Sequence, residues 1–493
     1  MKKERKTGVL LPIASLPSTV GIGDFGKEAY KFVDLLEKGG FKLWQILPLN
    51  PLGYGHSPYQ PFSSFAIDEL YADLDELSER GDFPFAGRNY PYEEKIHYEE
   101  VREFKQKYLR ASFEVEFKKD PSCIDEFIKS HPFVKTWALF MMFKREYPNS
   151  WDTWPKKYKE FLEKESEIPA SKMKDYNYEI WLQMTLYRQW DKLHAYANSK
   201  GIQIIGDIPF YVGYDSVDVW ANQDQFLLHA KTKEPTFIAG VPPDYFSATG
   251  QRWGNPIYDW EKMEKDGFKF IKNRIVENAK LYDIIRLDHF RAFDTYWKVP
   301  AECETAIDGE WIEAPGYKLF NSLFKEHPEL KDAIIAEDLG DLRDEVLELR
   351  DHYKFPGMNV VEFTFHDAEV TKEHHDVWDK ENSVVYLGTH DNDTMLSHFY
   401  NLPDDEQGEW VNALANLGFN EGTMVSRLIK YALSKKAIFA VFAMQDLLEL
   451  DTNTRLNVPG VVDDVNWTWK LVDFNHFERK LDEFKELIKE FKR

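Results

Sequence analysis

The sequence predicts an α/β fold, a (β/α)8 barrel of the TIM type with large, mostly helical insertions at the C-terminal face of the barrel. Three short apolar runs each lead into a carboxylate, at 284–288, 334–337 and 384–391. Each run is apolar without alternation, which is typical of a strand buried in a parallel sheet. Because the C-terminal ends of barrel strands share one rim, acids far apart in sequence can meet there. Such an arrangement is typical of an enzyme.

The first strand-helix-strand unit is compact. A strand at 9–11 precedes a helix that ends at Gly39-Gly40, and a second strand at 43–47 follows at once. The apolar residues of that helix recur at the spacing of one helix face: Ala29, Phe32, Val33 and Leu36.

Six further strands bring the count to eight, the number that defines this barrel. We predict them at 202–208, 284–288, 334–337, 359–363, 384–391 and 437–442. An apolar stripe at helical spacing leads into the fourth strand and comprises Phe268, Ile271, Ile275, Ala279 and Tyr282. A similar stripe near the C-terminus predicts a closing helix, so too little sequence remains for a C-terminal β-sandwich domain.

We expect residues 1–493 to form a single catalytic barrel with two insertions. The longer insertion, 54–200, follows the second strand and is dense in Lys, Glu and aromatic residues with helical patterning. We expect it to lie over the catalytic rim as a mainly helical subdomain. The shorter insertion, 209–259, follows the third strand, is rich in Gly and Pro, and includes an expected active-site loop at 240–256.

Composition excludes several classes of protein. The formal net charge is −23, which disfavours general attraction to nucleic acid or to an anionic membrane surface. Cys123 and Cys303 are the only cysteines, too few for a disulfide framework. No apolar run approaches the roughly 18 residues of a membrane-spanning helix, and Pro12 interrupts the apolar stretch that follows the basic start. These features predict a cytoplasmic protein.

The acids at the strand ends fit the cleavage of an acetal such as a glycosidic bond. That reaction uses one carboxylate beneath the sugar and one carboxylic acid beside the leaving oxygen. Asp288 suits direct attack, and the longer Glu337 suits proton transfer. Arg286 points to the same strand face as Asp288 and would keep it ionised. We expect His390 and Asp391 to bind ring hydroxyls; the alternative is that these acids only cap helices or face water.

The chain resembles the 4-α-glucanotransferases of the amylomaltase, or disproportionating enzyme, family, which is glycoside hydrolase family 77 of the α-amylase clan. The segments that carry the resemblance contain the acids: 286–291 (RLDHFR), 336–340 (AEDLG) and 389–394 (THDNDT). Further matching segments run from the first strand to the last: 57–60, 206–209, 215–220, 240–246, 253–256, 455–460 and 466–469.

The resemblance implies a role for each acid. Asp288 would be the nucleophile, Glu337 the general acid/base, and Asp391 the third carboxylate that helps distort the sugar. It further implies that a set of residues lines the donor and acceptor subsites: Tyr59, Asp215, Arg286, His390 and Trp253. We also expect Asn392, within the third segment, to contact substrate.

Transfer rather than hydrolysis requires that a second sugar reach the covalent intermediate before water. The 240–246 loop has the composition of a cover, with Tyr245 and Phe246 as apolar rings. Together with Tyr54, Tyr59 and Trp253, these aromatic residues follow strands in loops, where core packing is the weaker explanation.

The resulting hypothesis is an α-1,4-glucan transferase acting on maltooligosaccharides, with glucose as an acceptor. The alternatives are a non-catalytic glucan-binding barrel and an α-glucan hydrolase. No cofactor motif is present, and the closely spaced acids lack the ligand order of a calcium loop, so we expect no cofactor and no required metal. Whether protein partners exist is left open.

Overall fold

A computed structural model describes most of the chain. The described residues are 4–81, 83, 93–164, 166–243, 247–340, 342–364, 379–463 and 465–493, without the side chains of Tyr54 and Thr364. Within these ranges, no helix combines the length and the apolar character needed to cross a membrane.

The described residues contain twelve strands and eighteen α-helices. The strands are β1 (Lys6–Leu10), β2 (Leu43–Gln45), β3 (Gln203–Ile208), β4 (Phe237–Val241), β5 (Gln251–Pro256), β6 (Ile284–Leu287), β7 (Thr295–Pro300), β8 (Glu310–Glu313), β9 (Ile334–Ala336), β10 (Gly357–Val360), β11 (Ser383–Tyr386) and β12 (Phe439–Ala443). The helices of the first half are α1 (Lys27–Gly39), α2 (Leu74–Glu79), α3 (Tyr98–Lys119), α4 (Asp125–Ser130), α5 (Phe133–Glu146), α6 (Lys156–Lys159), α7 (Met173–Ser199), α8 (Val217–Ala221), α9 (Trp260–Lys265) and α10 (Lys269–Leu281). The remaining helices are α11 (Gly316–Glu326), α12 (Asp344–Tyr353), α13 (Val361–Thr364), α14 (Met395–Asn401), α15 (Asp404–Asn416), α16 (Met424–Ser434), α17 (Met444–Leu447) and α18 (Asn475–Glu490).

Eight parallel strands form the barrel, in the order β10-β11-β12-β1-β2-β3-β6-β9. The ring closes between β9 and β10, where Ala336 N donates to Pro356 O at 2.9 Å. Across the interior, Tyr386 on β11 donates its hydroxyl proton to Gln45 Oε1 on β2 at 2.8 Å. The predicted (β/α)8 fold is confirmed, and each of the eight predicted strands overlaps an observed one.

The sixth predicted strand, 359–363, was wrong at its C-terminal end. The chain leaves β10 after Val360, and Val361 begins the short helix α13. Val360 and Val361 are 2% and 1% exposed, whereas Phe363, at the end of the predicted strand, is 48% exposed. A buried apolar run does not by itself distinguish strand from helix, which explains the error.

Apolar stripes position the outer helices as predicted. In α1, four residues at helical spacing are fully buried: Ala29, Phe32, Val33 and Leu36. Gly40 ends the helix in the left-handed region, with φ of +82°. The closing helix α18 buries Phe477 and Phe484 against α1 and the residues after it, with Phe477 6.0 Å from Phe32 and Phe484 5.8 Å from Phe41. The two ends of the chain therefore pack together on the outside of the barrel.

The connections after β2, β3 and β6 carry most of the additional structure. Helices α2 to α7 lie between β2 and β3. The connections that follow β3 and β6 contribute two strands each to a second, antiparallel sheet in the order β5-β4-β7-β8. The segment 240–256, predicted as a loop, therefore contains the end of β4 and all of β5, whose glycines and prolines had suggested a loop. Its residues 244–246 lie outside the described part of the chain.

Candidate active site

Asp288 and Glu337 follow directly on two neighbouring strands of the barrel. Leu287 of β6 pairs with Ala336 of β9, so Asp288 and Glu337 form the next pair along the rim. The backbone enforces this alignment, because Glu337 N donates to Leu287 O at 3.0 Å. Since adjacent strands are about 4.8 Å apart, the two carboxyl groups start from neighbouring points on the same rim.

Arg286 joins two acids below this rim. Its Nη1 lies 2.9 Å from Asp288 Oδ1 and 2.7 Å from Asp207 Oδ2 on β3. The Arg286 side chain is 4% exposed and that of Asp207 is fully buried, whereas 26% of the Asp288 side chain is exposed. Asp288 is therefore the member of this group that a ligand entering from the rim can reach.

Tyr59 connects the same group to the opposite side of the rim. Its hydroxyl donates to Asp207 Oδ2 at 2.7 Å. Its ring stacks on His390, with centroids 5.2 Å apart and planes inclined by 13°. Two of the predicted subsite residues, Tyr59 and His390, thus lie together beside the acids.

Glu337 is oriented by the backbone on both sides. His289 N donates to Oε2 at 2.7 Å, and Leu339 N donates to Oε1 at 2.9 Å. His289 reaches this position with a φ of +50°, in the left-handed region that non-glycine residues rarely occupy. Such strain persists where the surrounding structure enforces it, often at functional sites. Here it aims an N–H at the carboxyl group.

Asp391 lies after β11 and is oriented by the loop that follows β12. Asn457 Nδ2 donates to Asp391 Oδ1 at 2.7 Å, and Arg455 Nη2 donates to the Asp391 carbonyl oxygen at 2.7 Å. The Asp391 side chain is 44% exposed, and its Oδ2 lies 3.5 Å from His390 Nε2. Asp391 therefore presents one oxygen to the open side of the rim.

Burial and charge together set the protonation of the cluster. Burial raises the pKa of both Asp288 and Glu337, while the Arg286 guanidinium opposes that rise. The charges of Glu337, Asp207 and Asp391 further raise the pKa of Asp288, so the acids are close enough to interact. Burial lowers the pKa of His390, which is therefore neutral at neutral pH.

Trp253 also belongs to this region. Its half-buried ring lies edge-on to His289, with centroids 4.9 Å apart. Its carbonyl oxygen accepts a hydrogen bond from Gln60 Nε2 at 2.9 Å. The ring thus packs against the residue whose N–H binds Glu337.

Other predicted residues are placed differently. The carboxylate of Asp215 is paired with Lys144 Nζ and accepts from Trp151 N at 3.2 Å, so it is bound to the insertion after β2. Asn392 Oδ1 accepts from Thr389 N at 2.8 Å, and its Nδ2 donates to Glu362. Both side chains hold loops in the structure.

Three predicted aromatic residues are not placed as side chains. Tyr54 is the first residue of a 3₁₀ turn, Tyr54–His56. The structure describes the backbone of Tyr54 but not its side chain. Tyr245 and Phe246 lie outside the described residues.

The sequence reasoning missed Asp207, Arg455 and Asn457 as members of the site. Asp207 is in register with Arg286 on the neighbouring strand, but the long connection between β3 and β6 separates the two residues in the sequence. Asp207 is also preceded by Gly206, where a Cβ atom would lie about 2.1 Å from the Tyr282 ring. A glycine followed by an acid at a strand end was the signal that could have identified it.

The arrangement combines two adjacent carboxyl groups with a fixed cation and a third acid. Among the described residues, no group of three or more His, Cys, Asp or Glu side chains is arranged to hold a metal ion. The geometry suits acid/base and nucleophilic chemistry on an uncharged substrate carrying an acetal bond.

Comparison with known proteins also indicates an enzyme that acts on glycosidic bonds, and the similarity covers nearly the whole chain. A family model described as 4-alpha-glucanotransferase matches residues 11–475. The chain is 40% identical to a 4-alpha-glucanotransferase of Aquifex aeolicus, covering 98% of both chains, and 42% identical to one of Streptococcus pneumoniae, covering 96% of this chain and 94% of the relative. The structure of an amylomaltase from Streptococcus agalactiae in complex with acarbose superposes with a TM-score of 0.92 at 33% identity, covering 99% of this chain and 100% of that one. The chain therefore belongs to the 4-α-glucanotransferase family of glucan-acting, glycosyltransferase-type enzymes.

Proposed function

We propose that this enzyme transfers a segment of an α-1,4-glucan to the 4-hydroxyl of another glucan by a retaining double displacement, with Asp288 as nucleophile and Glu337 as general acid/base. The observation that carries the proposal is the pairing of these residues at the ends of β6 and β9 beside Arg286. Retaining glycosidases place their two carboxyl groups about 5 to 5.5 Å apart, a separation that two neighbouring strand ends can supply.

The surroundings of the two acids favour a division of roles between them. Arg286 lies 2.9 Å from Asp288, which stabilises the Asp288 anion. Burial and the neighbouring acids raise the pKa of Asp288 to about 8, and burial also raises the pKa of Glu337, so the cluster retains a proton. We assign that proton to Glu337, because the guanidinium contacts Asp288 directly whereas the Glu337 oxygens accept from the backbone N–H groups of His289 and Leu339. An ionised Asp288 and a protonated Glu337 are the states that the first step requires.

In the first step, an Asp288 oxygen attacks the anomeric carbon while Glu337 gives its proton to the departing glycosidic oxygen. The carbon–oxygen bond to the leaving sugar breaks, and a glycosyl ester forms on Asp288. In the second step, ionised Glu337 takes the proton of an acceptor 4-hydroxyl, whose oxygen attacks the same carbon and releases Asp288. Two inversions preserve the α configuration.

Asp391, His390 and Tyr59 are the residues that we assign to the sugar in the donor subsite. The exposed oxygen of Asp391 can accept from ring hydroxyls as the ring flattens. His390 Nδ1 is buried and has no hydrogen-bond partner within the described residues, so it is available to a sugar hydroxyl. Tyr59, stacked on His390, would place its ring beside the sugar.

Further substrate contacts remain predictions. We propose that Trp253, whose ring packs on His289, covers the acids, and that Tyr54, Tyr245 and Phe246 have the same role. Asp215 and Asn392 would act through the loops that their side chains hold. The amylomaltase of Streptococcus agalactiae was solved in complex with acarbose, which supports the proposal that this chain binds a sugar-like ligand.

The proposal extends to substrate and compartment. Maltooligosaccharides would be donors, and glucose would be an acceptor, because a neutral hydroxylated ligand suits a site in which Arg286 is already paired with acids and Arg455 is bound to backbone carbonyl oxygens. We also propose a cytoplasmic location, without nucleic-acid or membrane partners, from the net charge of −23 and the two cysteines.

Incubation with maltotriose separates the proposed transfer from the alternatives. Transfer yields glucose together with longer oligosaccharides and leaves the number of reducing ends constant. Hydrolysis would add one reducing end for each bond broken, and a non-catalytic glucan-binding barrel would leave maltotriose unchanged. Either of the last two results would contradict the proposal.

The two carboxyl roles can be tested separately with α-maltosyl fluoride, whose leaving group needs no proton. Glu337→Gln should release fluoride in a single turnover and accumulate an enzyme heavier by one maltosyl group, measured by mass spectrometry, because an amide cannot activate the acceptor. Asp288→Asn should do neither. A maltosyl adduct in Asp288→Asn would remove Asp288 from the first step.

A further inference from the structure

A groove of about 880 Å³ lies outside the candidate active site. It runs between α5 of the first insertion, α8, and the N-terminal half of α10. None of Asp288, Glu337, Asp391 and Arg286 lines it. Its volume falls in the range of small-molecule sites, about 300 to 1,000 Å³.

Half of the apolar residues that line the groove are aromatic. These aromatic residues are Phe65, Phe133, Trp137 and Phe270. The Phe65 and Phe133 rings stack on each other with centroids 5.7 Å apart, and both are only half-buried. The groove therefore offers flat apolar surface to a ligand.

Three buried polar groups in the lining lack partners. Trp137, Asp218 and Gln225 are 3%, 2% and 7% exposed. Within the described part of the chain, Trp137 Nε1, Asp218 Oδ1 and Gln225 Oε1 have no hydrogen-bond partner. Buried polar groups are nearly always paired in native proteins, and leaving them unpaired costs free energy. One donor and two acceptors, all on residues that line the same groove, thus have no partner within the described part of the chain.

The charges of the lining disfavour an anionic ligand. Lys272 Nζ is bound by Glu326 Oε1 at 2.6 Å and by Ser322 Oγ at 3.1 Å. Lys269 is accompanied in the lining by Asp218 and Asp266, so the groove has no excess of positive charge. A phosphate group would meet carboxylates there, whereas a neutral ligand would not.

We propose that this groove is a second, non-catalytic site that binds a pyranose ring of a neutral sugar such as glucose. A pyranose has an apolar face that packs on aromatic rings. Its hydroxyls both accept, as Trp137 Nε1 requires, and donate, as Gln225 Oε1 and Asp218 Oδ1 require. This site goes beyond the transfer reaction and does not depend on the roles of Asp288 and Glu337.

Fluorine NMR of the full chain labelled with 5-fluorotryptophan tests the proposal. Trp137→Phe and Trp253→Phe assign the two resonances that report on the groove and on the candidate active site. Glucose is the probe, since it has no glycosidic bond to transfer. We expect the Trp137 resonance to shift saturably with glucose, at a midpoint different from that of Trp253.

A matched pair of variants locates the binding. Gln225→Met removes an unpaired amide oxygen from a residue that lines the groove. Gln223→Met also removes an unpaired amide oxygen, but Gln223 does not line the groove. Gln225→Met should raise the glucose concentration for the half-maximal Trp137 shift by about tenfold, the effect of one lost hydrogen bond. Gln223→Met should leave that midpoint close to the value of the unsubstituted chain.

Several results would overturn the proposal. The Trp137 resonance could stay fixed as glucose is raised, or it could follow the Trp253 midpoint in every variant. Equal midpoints in Gln225→Met and Gln223→Met would also contradict it. A shift with inorganic phosphate but not with glucose would show that the occupant is an anion.

Discussion

Asp207 accepts a hydrogen bond from Arg286 at 2.7 Å, and both side chains are almost completely removed from solvent. The two residues are paired across β3 and β6. Because the same guanidinium nitrogen binds Asp288, the position of the proposed nucleophile depends on an acid that does not reach the rim. Asp207 is therefore a positioning residue, and its effects should differ from those of the acids above it.

Asp207→Asn should lower kcat about 10- to 100-fold, because Arg286 loses the anion that fixes it and Asp288 is misplaced. The pH profile gives a second readout. The Asp207 charge raises the pKa of Asp288, so its removal should lower that pKa and move the acidic limb of kcat/KM to lower pH. Initial rates of maltotriose disproportionation across pH measure both effects.

Asp68→Asn is the matched control, since Asp68 is also a fully buried acid paired with an arginine, but its partner is Arg102 of the first insertion, at 3.1 Å. In this control variant the acidic limb of the kcat/KM pH profile should stay at the pH of the unsubstituted chain. Equal shifts of that limb in the two variants would show that Asp207 acts only through the stability of the fold.

Asn457→Ala should reduce kcat about tenfold with little change in stability, because Asp391 Oδ1 loses the donor 2.7 Å away that orients it. Asn453→Ala serves as control, since Asn453 lies in the same segment and its side chain donates to Asp451 Oδ1 at the surface, 3.0 Å away. Disproportionation rates and thermal unfolding check the two variants. A loss of Tm in Asn457→Ala that matches its loss of rate would indicate a structural role.

A buried ion cluster in the insertion should make stability depend on pH. Burial alone would raise the pKa of Glu69, but the Arg145 and Arg102 guanidiniums lower it to about 2. A lowered folded-state pKa means that this stabilisation is complete above about pH 4.5 and is lost as the pH falls towards 2. From the size of the shift, Glu69 contributes about 3 kcal/mol to the free energy of unfolding at neutral pH.

Urea unfolding at pH 6 and pH 3 measures this contribution. Glu69→Gln should be less stable than the unsubstituted chain at pH 6, and the difference should shrink by pH 3. Gln106→Leu is a useful comparison. It removes a neutral donor to Glu69 Oε1, the oxygen that Arg102 also binds, without removing the Glu69 charge. A stability difference between Glu69→Gln and the unsubstituted chain that is equal at both pH values would contradict the assignment.

The barrel was predictable because its strands are buried on both faces. Continuous apolar runs and acids at the strand ends are local signals, and they identify β6 and β9 without knowledge of the rest. The small antiparallel sheet was not predictable in the same way. Its strands come from two different connections: β4 pairs with β5 of its own connection and with β7 of the next one. Trp297 on β7 pairs with Trp311 on β8. Packing between the connections determines these pairings, and no local sequence pattern encodes it.

In the candidate site, too, residues whose role follows from a local sequence signal could be predicted, whereas residues whose role depends on a distant partner could not. Asp288, Glu337 and Asp391 could be identified from their positions after apolar runs. Asp207 carried a local signal, an acid after a glycine at a strand end, but its role depends on Arg286, which lies 79 residues away in the sequence. Asn457 carried no such signal, and its partner Asp391 lies 66 residues away. Residues that orient other residues are recognised only when the fold brings them together.

Trp253→Ala should increase hydrolysis relative to transfer. The Trp253 ring packs 4.9 Å from His289, whose N–H holds Glu337, so its removal opens a path for water beside the acid/base. Counting reducing ends during maltotriose turnover measures the effect directly, because transfer leaves that number constant and hydrolysis increases it. We expect the hydrolytic fraction to rise several-fold. Trp311→Ala, at a 41% exposed ring on β8, should leave the fraction unchanged. Constant reducing ends in Trp253→Ala would mean that another part of the rim excludes water.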